Sequence, residues 1–241
     1  MTDYTSLIKD VFAENGLSLL LNSRNIEQLN ILIDRMLTVN KSMNLTAITD
    51  VDDVVLKHIA DSAVIVKYIP KNAKLMDVGT GGGFPSLPVA IFRPDVSVYA
   101  LDSTAKKLRY IDETASILGL TNIKTVCGRA EEFGRSVNYR ERFDVVTARA
   151  VSALNVLNEL CLPFLKIGGM FIAMKGASAL EEVELAKSGV IQLGGSKFED
   201  TRVSLSYKDS TLDRHLIFSK KTKPTPPSFP RIYSRITKKP L

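Results

Sequence analysis

The chain has little of what would staple it together or carry it across a membrane. Its two cysteines, Cys127 and Cys161, are too few and too far apart for a disulfide framework, and no C-x-x-C pair offers a zinc site. A reducing cytoplasm and no bound metal are therefore expected. No run approaches the roughly 18 apolar residues of a membrane span, and the N-terminus, with an acid at Asp3 and no long apolar core, does not resemble a signal peptide. No internal repeat and no long apolar seam is visible, so a monomer with no membrane contact is expected. The last stretch, Lys220 to Leu241, lacks acids altogether but carries Lys220, Lys221, Lys223, Arg231, Arg235, Lys238 and Lys239. Without it the chain holds 25 basic against 26 acidic residues, so the whole excess of the net +6 sits in the tail. A near-neutral body with a basic end suits a local contact with a polyanion.

What is present fits a globular α/β protein. Apolar content of 45% against 24% charged excludes global disorder, and 241 residues suit one α/β domain with a small extension. Residues 1 to 70 read as helical. Leu7, Ile8, Val11 and Phe12 share one helix face before a stop at Gly16, and Ile26, Leu29, Ile33, Met36 and Leu37 form a second stripe ending near Asn40. A third helix is predicted from Thr49 or Asp50, carrying Val51 to Ile65 and ending before Pro70. The polar run from Asn40 to Thr46 reads as a loop with a cap. His58, Asp61 and Ser62 are neighbours on one side of the third helix.

From residue 74 apolar runs at 75–78, 96–101, 123–127, 143–148 and 170–174 alternate with helical stretches at 85–92, 104–118, 152–165 and 179–190. That rhythm predicts a parallel sheet covered on both faces. Val203, Leu205 and Tyr207, then His215 to Phe218, have no helix between them and predict an antiparallel hairpin at the sheet edge. The last stretch carries five prolines, and an extended arm with no packed core of its own is expected.

The chemistry concentrates in Leu75 to Pro85, an apolar strand that ends in the turn Gly79, Thr80, Gly81, Gly82, Gly83. A phosphate-cradling P-loop is excluded, because Phe84 and Pro85 follow where Lys and Ser or Thr are needed. The dinucleotide pattern G-x-G-x-x-G fits Gly79 and Gly81 but meets Phe84 at its third position, which disfavours a nicotinamide cofactor. The pattern acid-x-Gly-x-Gly-x-Gly is met by Asp77, Gly79, Gly81 and Gly83, and Asp102 ends the next strand, where a carboxylate can accept from ribose hydroxyls. An adenosine-bearing ligand is indicated; Asp102 as a helix cap is the structural alternative.

These motifs together resemble one family. Asp77 to Pro85, Leu101 to Ser103 with Lys106 and Lys107, Arg129 to Glu131, and Phe143 to Ala150 are similar to the RsmG or GidB family of small-subunit rRNA guanine-N7 methyltransferases. Asn44 to Thr46, the His58 to Ser62 patch, Gly168 and Gly169 with Lys175 and Gly176, and Phe229 to Arg231 follow in the same order. The resemblance implies a class I S-adenosylmethionine-dependent methyltransferase fold, with a Rossmann-like, mostly parallel seven-stranded sheet and an antiparallel edge hairpin. It implies an N-terminal helical cap (1–72), a methyltransferase domain (73–219) and a basic, proline-rich tail (220–241). It further implies methylation of N7 of a guanine in the 530 loop of 16S rRNA, presented as RNA or as the small ribosomal subunit.

Carried over, the cofactor contacts are Asp77, Gly79, Gly81, Phe84, Asp102, Ser103, Thr104, Ala130, Glu131 and Arg149. Arg149 could serve the cofactor or the acceptor, or pair with Glu131 or Asp102. Asn44, His58 and Asp61 would help position the acceptor, and the tail cations would hold phosphates. Two departures stand out: Ser86 where the family has glycine, and Ile232 to Ile236 where a Lys, Gly and Pro pattern is usual. Guanine N7 has a lone pair and no proton, so direct in-line attack needs neither a general base nor a thiol nucleophile. Both cysteines are accordingly expected in the core. A nicotinamide-dependent oxidoreductase and a non-catalytic RNA-binding protein remain as competing readings.

Overall fold

The structure is a computed structural model that describes residues 2–241. The N-terminal region is helical, as its periodicity predicts. Helix α1 (Thr5–Glu14) buries Ile8, Val11 and Phe12, one face of the 3,4 pattern. Helix α2 (Ser23–Met43) starts where the Asn22 side chain accepts the Asn25 amide at 2.9 Å. It runs past Asn40 and stops at Asn44, whose left-handed backbone (φ 50°) closes the C-terminus. The Asn40 carboxamide then pins the loop beyond, donating to the Thr46 carbonyl and accepting the Thr46 amide, both at 2.9 Å.

The third predicted helix is a continuous helical run with a change of pitch. Helix α3 (Val51–Val54) is capped by the Asp50 side chain, widens into a π-helical stretch at Val55–Ala60, and regains α geometry in α4 (Asp61–Ala63). Such widened turns gather at functional sites, and this one carries His58.

Five strand-to-helix units follow, with the five strands and four of the helices as predicted and the short α7 in addition: β1 (Lys74–Val78), α5 (Ser86–Phe92), β2 (Ser97–Asp102), α6 (Ala105–Ile117), β3 (Ile123–Cys127), α7 (Ala130–Phe133), β4 (Phe143–Arg149), α8 (Leu154–Cys161), β5 (Leu165–Lys175) and α9 (Ala179–Gln192). The hairpin is β6 (Glu199–Tyr207) with β7 (Ser210–Lys220). One seven-stranded sheet results, in the order β3-β2-β1-β4-β5-β7-β6. The first five strands pair in parallel, while β7 pairs antiparallel with both β5 and β6.

Because successive strand residues face opposite ways, the sheet separates two cores. Leu75, Val98, Val145 and Ile172 pack with the N-terminal helices, α5 and α6. Met76, Val146, Phe171 and Ala173 pack with α8, α9 and residues of the tail.

The tail is where the structure corrects the sequence reading. It is not an extended arm but is docked on the second core, with Phe229 and Ile236 buried and a helix, α10 (Tyr233–Lys238), near its end. Lys221 is 1% exposed and donates to the Leu162 carbonyl at 2.7 Å and to Thr225. Burial pulls its pKa down to about 8. Arg231 holds the fully buried Glu159 carboxylate through Nε and Nη2, the latter at 2.6 Å, and its own amide donates to the same group at 2.6 Å. Two of the seven tail cations are thus spent inside the fold, while Lys220, Lys223, Arg235, Lys238 and Lys239 stay exposed. A polar, proline-rich stretch carries no periodicity to announce such docking; Arg140, donating to the carbonyls of Thr225 and Phe229, fastens it from outside the tail.

Candidate functional site

A cleft of about 440 Å³ opens at the C-terminal ends of β1 to β4, the edge where open α/β sheets take ligands. Its floor is the glycine turn. Gly79, Gly81 and Gly83 have φ of +73°, +57° and +89°, a region that side-chain-bearing residues rarely adopt. A Cβ on Gly79 would lie 2.5 Å from Val151, and one on Gly83 2.6 Å from Leu87. Glycine is therefore required twice over, by backbone angle and by close approach. The turn is tied to β2 by the amides of Gly79 and Thr80, which donate to the Leu101 carbonyl at 2.8 and 3.0 Å.

Asp102 stands beside this turn. One carboxylate oxygen accepts the Gly81 amide at 3.0 Å and the other the Thr104 amide at 2.8 Å. The capping alternative is thus partly realised, yet each oxygen keeps lone-pair capacity for a hydroxyl. Positive-φ glycines beneath, a carboxylate with spare acceptors and a volume in the small-ligand range fit the adenosine and methionine parts of S-adenosylmethionine.

Asp77 lies beneath the cleft and does not line it. It is fully buried; one oxygen accepts from Ser86 at 2.6 Å, Ser86 accepts from Thr80 at 2.9 Å, and the other oxygen has no partner. Burial raises its pKa to about 6. Ser86, the departure from the family's glycine, has thus become part of the support under the turn. The Thr104 side chain is also outside the cleft, its amide serving Asp102.

The opposite wall is assembled from two regions. Arg149, at the end of β4, pairs with neither Glu131 nor Asp102. Its Nη1 donates to Asp61 at 2.8 Å and to the Lys57 carbonyl at 3.1 Å, and its Nη2 meets His58 Nδ1 at 3.1 Å. Asp61 is fully buried and also takes Arg214 of β7, at 2.9 and 3.2 Å. Because Nδ1 accepts from an arginine, the neutral Nε2–H tautomer of His58 is assigned, donating to Thr46 Oγ1 at 2.9 Å. Burial, then the charge of Arg149, push the His58 pKa down to about 3. Its ring stacks on Phe84, centroids 4.8 Å apart, and the Arg149 guanidinium lies 5.5 Å from the same phenyl centroid. This is a rigid wall of one cation and two rings, with no proton to exchange near neutrality.

The structure therefore brings Gly79, Gly81, Phe84, Asp102, Ser103, Ala130, Glu131, His58 and Arg149 together in one cleft. Asp61 acts from behind by holding Arg149. Asn44 does not join them: it is exposed at the end of α2, and its neighbours Leu45 and Thr46 line the cleft in its place. Cys161 is buried as expected, with burial pushing its thiol far above the usual range. Cys127 is exposed, correcting the expectation of a core residue, because its strand lies at the sheet edge. Neither cysteine lines the cleft. Arg214, Val151, Arg129 and Tyr233 were not foreseen; Arg129 stood within a quoted motif, whereas nothing near Arg214 in the sequence distinguishes it from a surface cation. Among the described residues no group of three or more His, Cys, Asp or Glu could hold a metal, and no helix is long and apolar enough to cross a membrane.

Comparison with known proteins gives the family and the fold. The GidB family model, described as rRNA small subunit methyltransferase G, matches residues 25–216. The ribosomal RNA small subunit methyltransferase G of Clostridium novyi is 42% identical over 236 residues, covering 97% of this chain and 96% of its own. That of Lactobacillus delbrueckii subsp. bulgaricus is 44% identical over 219 residues, covering 89% and 91%. Among solved structures, an S-adenosylmethionine-dependent O-methyltransferase of Thermotoga maritima superposes with a TM-score of 0.54 at 16% identity, over 81% of this chain and 72% of its own. M. jannaschii TYW2, in complex with AdoMet, gives 0.50 at 17%, over 73% and 76%. At these identities the solved structures speak for the fold alone: a class I methyltransferase.

Proposed function

The chain belongs to the rRNA small subunit methyltransferase G family, and from that premise we propose that it methylates N7 of a guanine in the 530 loop of 16S rRNA. It is an S-adenosylmethionine-dependent methyltransferase acting on rRNA, and the oxidoreductase and non-catalytic readings fall with that membership. The observation that carries the finer proposal is the wall of Arg149, His58 and Phe84 facing the glycine turn across one cleft.

When bound, S-adenosylmethionine supplies an activated methyl on a sulfonium. Gly79, Gly81 and Phe84 would hold its methionine part, Asp102 and Ser103 its ribose, and Ala130 and Glu131 its base. Thr104 and Asp77 support these from outside the cleft. The work left to the chain is alignment and exclusion of water, worth up to about 7–11 kcal/mol in well-oriented reactions. No base is required at N7, and the wall offers none: both nitrogens of His58 are engaged and it is uncharged at neutral pH. Arg149 presents a fixed cation that can donate to an acceptor atom such as guanine O6. Phe84 and His58 add two stacked rings beside Arg149, and neither thiol is placed for covalent catalysis.

The substrate is 16S rRNA or the small ribosomal subunit, met in the cytoplasm by a monomer whose exposed tail cations bind phosphates. Mapping 7-methylguanine in 16S rRNA from cells with and without this protein tests the assignment. The modification is expected to vanish with the protein; its persistence would overturn the proposal.

A further inference from the structure

We propose that Tyr233, on the docked C-terminal helix α10, forms the outer wall of the adenine end of the cofactor cleft. The inference rests on the cofactor placement given above and extends it to a segment outside the sheet. The strand order fixes which end of the cleft is which. Adjacent strand ends lie about 4.8 Å apart, and β3, β2, β1 and β4 succeed one another along the floor. With ribose at Asp102 on β2 and the reacting group between β1 and Arg149 on β4, the base falls over the end of β3.

There the cleft is lined by Gly128, Ala130 and Glu131 from the β3 side, with Leu160 as an apolar contact and Tyr233 as the aromatic one. The other two rings, Phe84 and His58, are stacked on each other at the Arg149 end. A planar heteroaromatic base at the β3 end thus meets one aromatic side chain, and it comes from the tail.

The helix that carries the ring is docked before any ligand arrives. Three residues on, Ile236 is fully buried. Two residues before, Arg231 is locked on Glu159. The Arg129 guanidinium lies 5.8 Å from the Tyr233 centroid, within cation–π range. Tyr233 itself remains 41% exposed and lines the cleft. It serves as a positioning residue for the cofactor and takes no part in the chemistry.

The test is binding of S-adenosylmethionine and of adenosine, by calorimetry or equilibrium dialysis, to the full chain and to Tyr233→Ala, Tyr233→Leu and Tyr233→Phe. The expected result is a loss of roughly 5- to 150-fold for both ligands in the Ala variant, the range of one base–aromatic stack removed. Phe should restore binding and Leu should not, which separates stacking from bulk. In turnover, KM for S-adenosylmethionine should rise while kcat at saturation holds. Equal binding by wild type and the Ala variant, or a loss confined to RNA binding, would overturn the inference. If the wild-type chain bound neither ligand, the cofactor placement itself would fail, and this wall with it.

Discussion

Two arginines on opposite faces of the sheet each grip a carboxylate with no exposure to solvent, and they do different things. Arg149 with Asp61 ties the N-terminal helices to the end of β4 beside the cleft; Arg231 with Glu159 ties the tail to α8 on the far face. Asp61 serves a second arginine, Arg214, so that three elements meet at one charge. Glu159 receives Arg231 alone, but from side chain and backbone together. The Arg149 side chain is 9% exposed and that of Arg231 22%. A carboxylate shared by two arginines, one of them nearly enclosed, braces a wall between three elements, whereas one matched to a single, more open arginine fastens a segment to a surface. Asp77 is the contrasting third case, a buried acid with a serine in place of an arginine.

The sharpest way to break this comparison is to remove Asp61. Asp61→Ala leaves Arg149 and Arg214 unpaired in a buried setting, and a cost of about 3–5 kcal/mol is expected in denaturant unfolding. Methyl transfer should fall further than stability does, since the cleft wall is lost; activity retained in the folded fraction would show that Arg149 needs no anchor.

Next in size is the pH dependence set by Asp77. Its pKa is about 6 folded against 3.8 as the reference value, so the folded state holds the proton more tightly. The stabilisation is complete below about pH 4 and is lost as pH rises through 6, on the order of 3 kcal/mol. Asp77→Asn should abolish that slope in urea titrations at pH 4.5 and 7.5. An unchanged slope would assign it to other groups.

Glu159→Ala is expected to cost about 1.5–3 kcal/mol, because Arg231 can turn toward water. Its signature is local: faster proteolysis within residues 225–241, with little change in protection of the N-terminal helices. Matching profiles for Asp61→Ala and Glu159→Ala would erase the distinction drawn above.

The smallest effect separates the two kinds of tail cation. Replacing Lys238 and Lys239 by Gln should leave stability within about 0.5 kcal/mol and flatten the salt dependence of RNA binding by roughly 0.7–0.9 in log–log slope for each phosphate no longer neutralised. Lys221→Gln should do the reverse, lowering stability while leaving that slope as it was. Deleting residues 220–241 would confuse the two, since it strips Phe229 and Ile236 from the core.

Much of this arrangement could be read from the chain itself. The alternation of strands and helices gave the sheet, because each element carries its own period, and the glycine turn with Asp102 gave the floor of the cleft. What escaped was long-range pairing among charges. Arg149 reaches Asp61 across 88 residues and Arg214 reaches it across 153; no spacing rule connects such positions. The tail escaped for a related reason: Lys221 and Arg231 look like solvent cations until Leu162 and Glu159 are placed beside them. Asn44 was singled out for its motif, but a left-handed cap residue is held there by backbone geometry, and the cleft begins one residue later.

The widened turn at Val55–Ala60 has a consequence for how this protein tolerates insertions and deletions. A π turn holds one residue more than the α turn it replaces, and α geometry resumes at Asp61. Loss of a single codon within the run would let it close to a regular α-helix, leaving Asp61 and the helix ends nearly in phase while displacing the residues inside the run, His58 among them. Gain of a codon has no such slack and would turn everything beyond it by about 100°. The run has a residue to lose and none to gain.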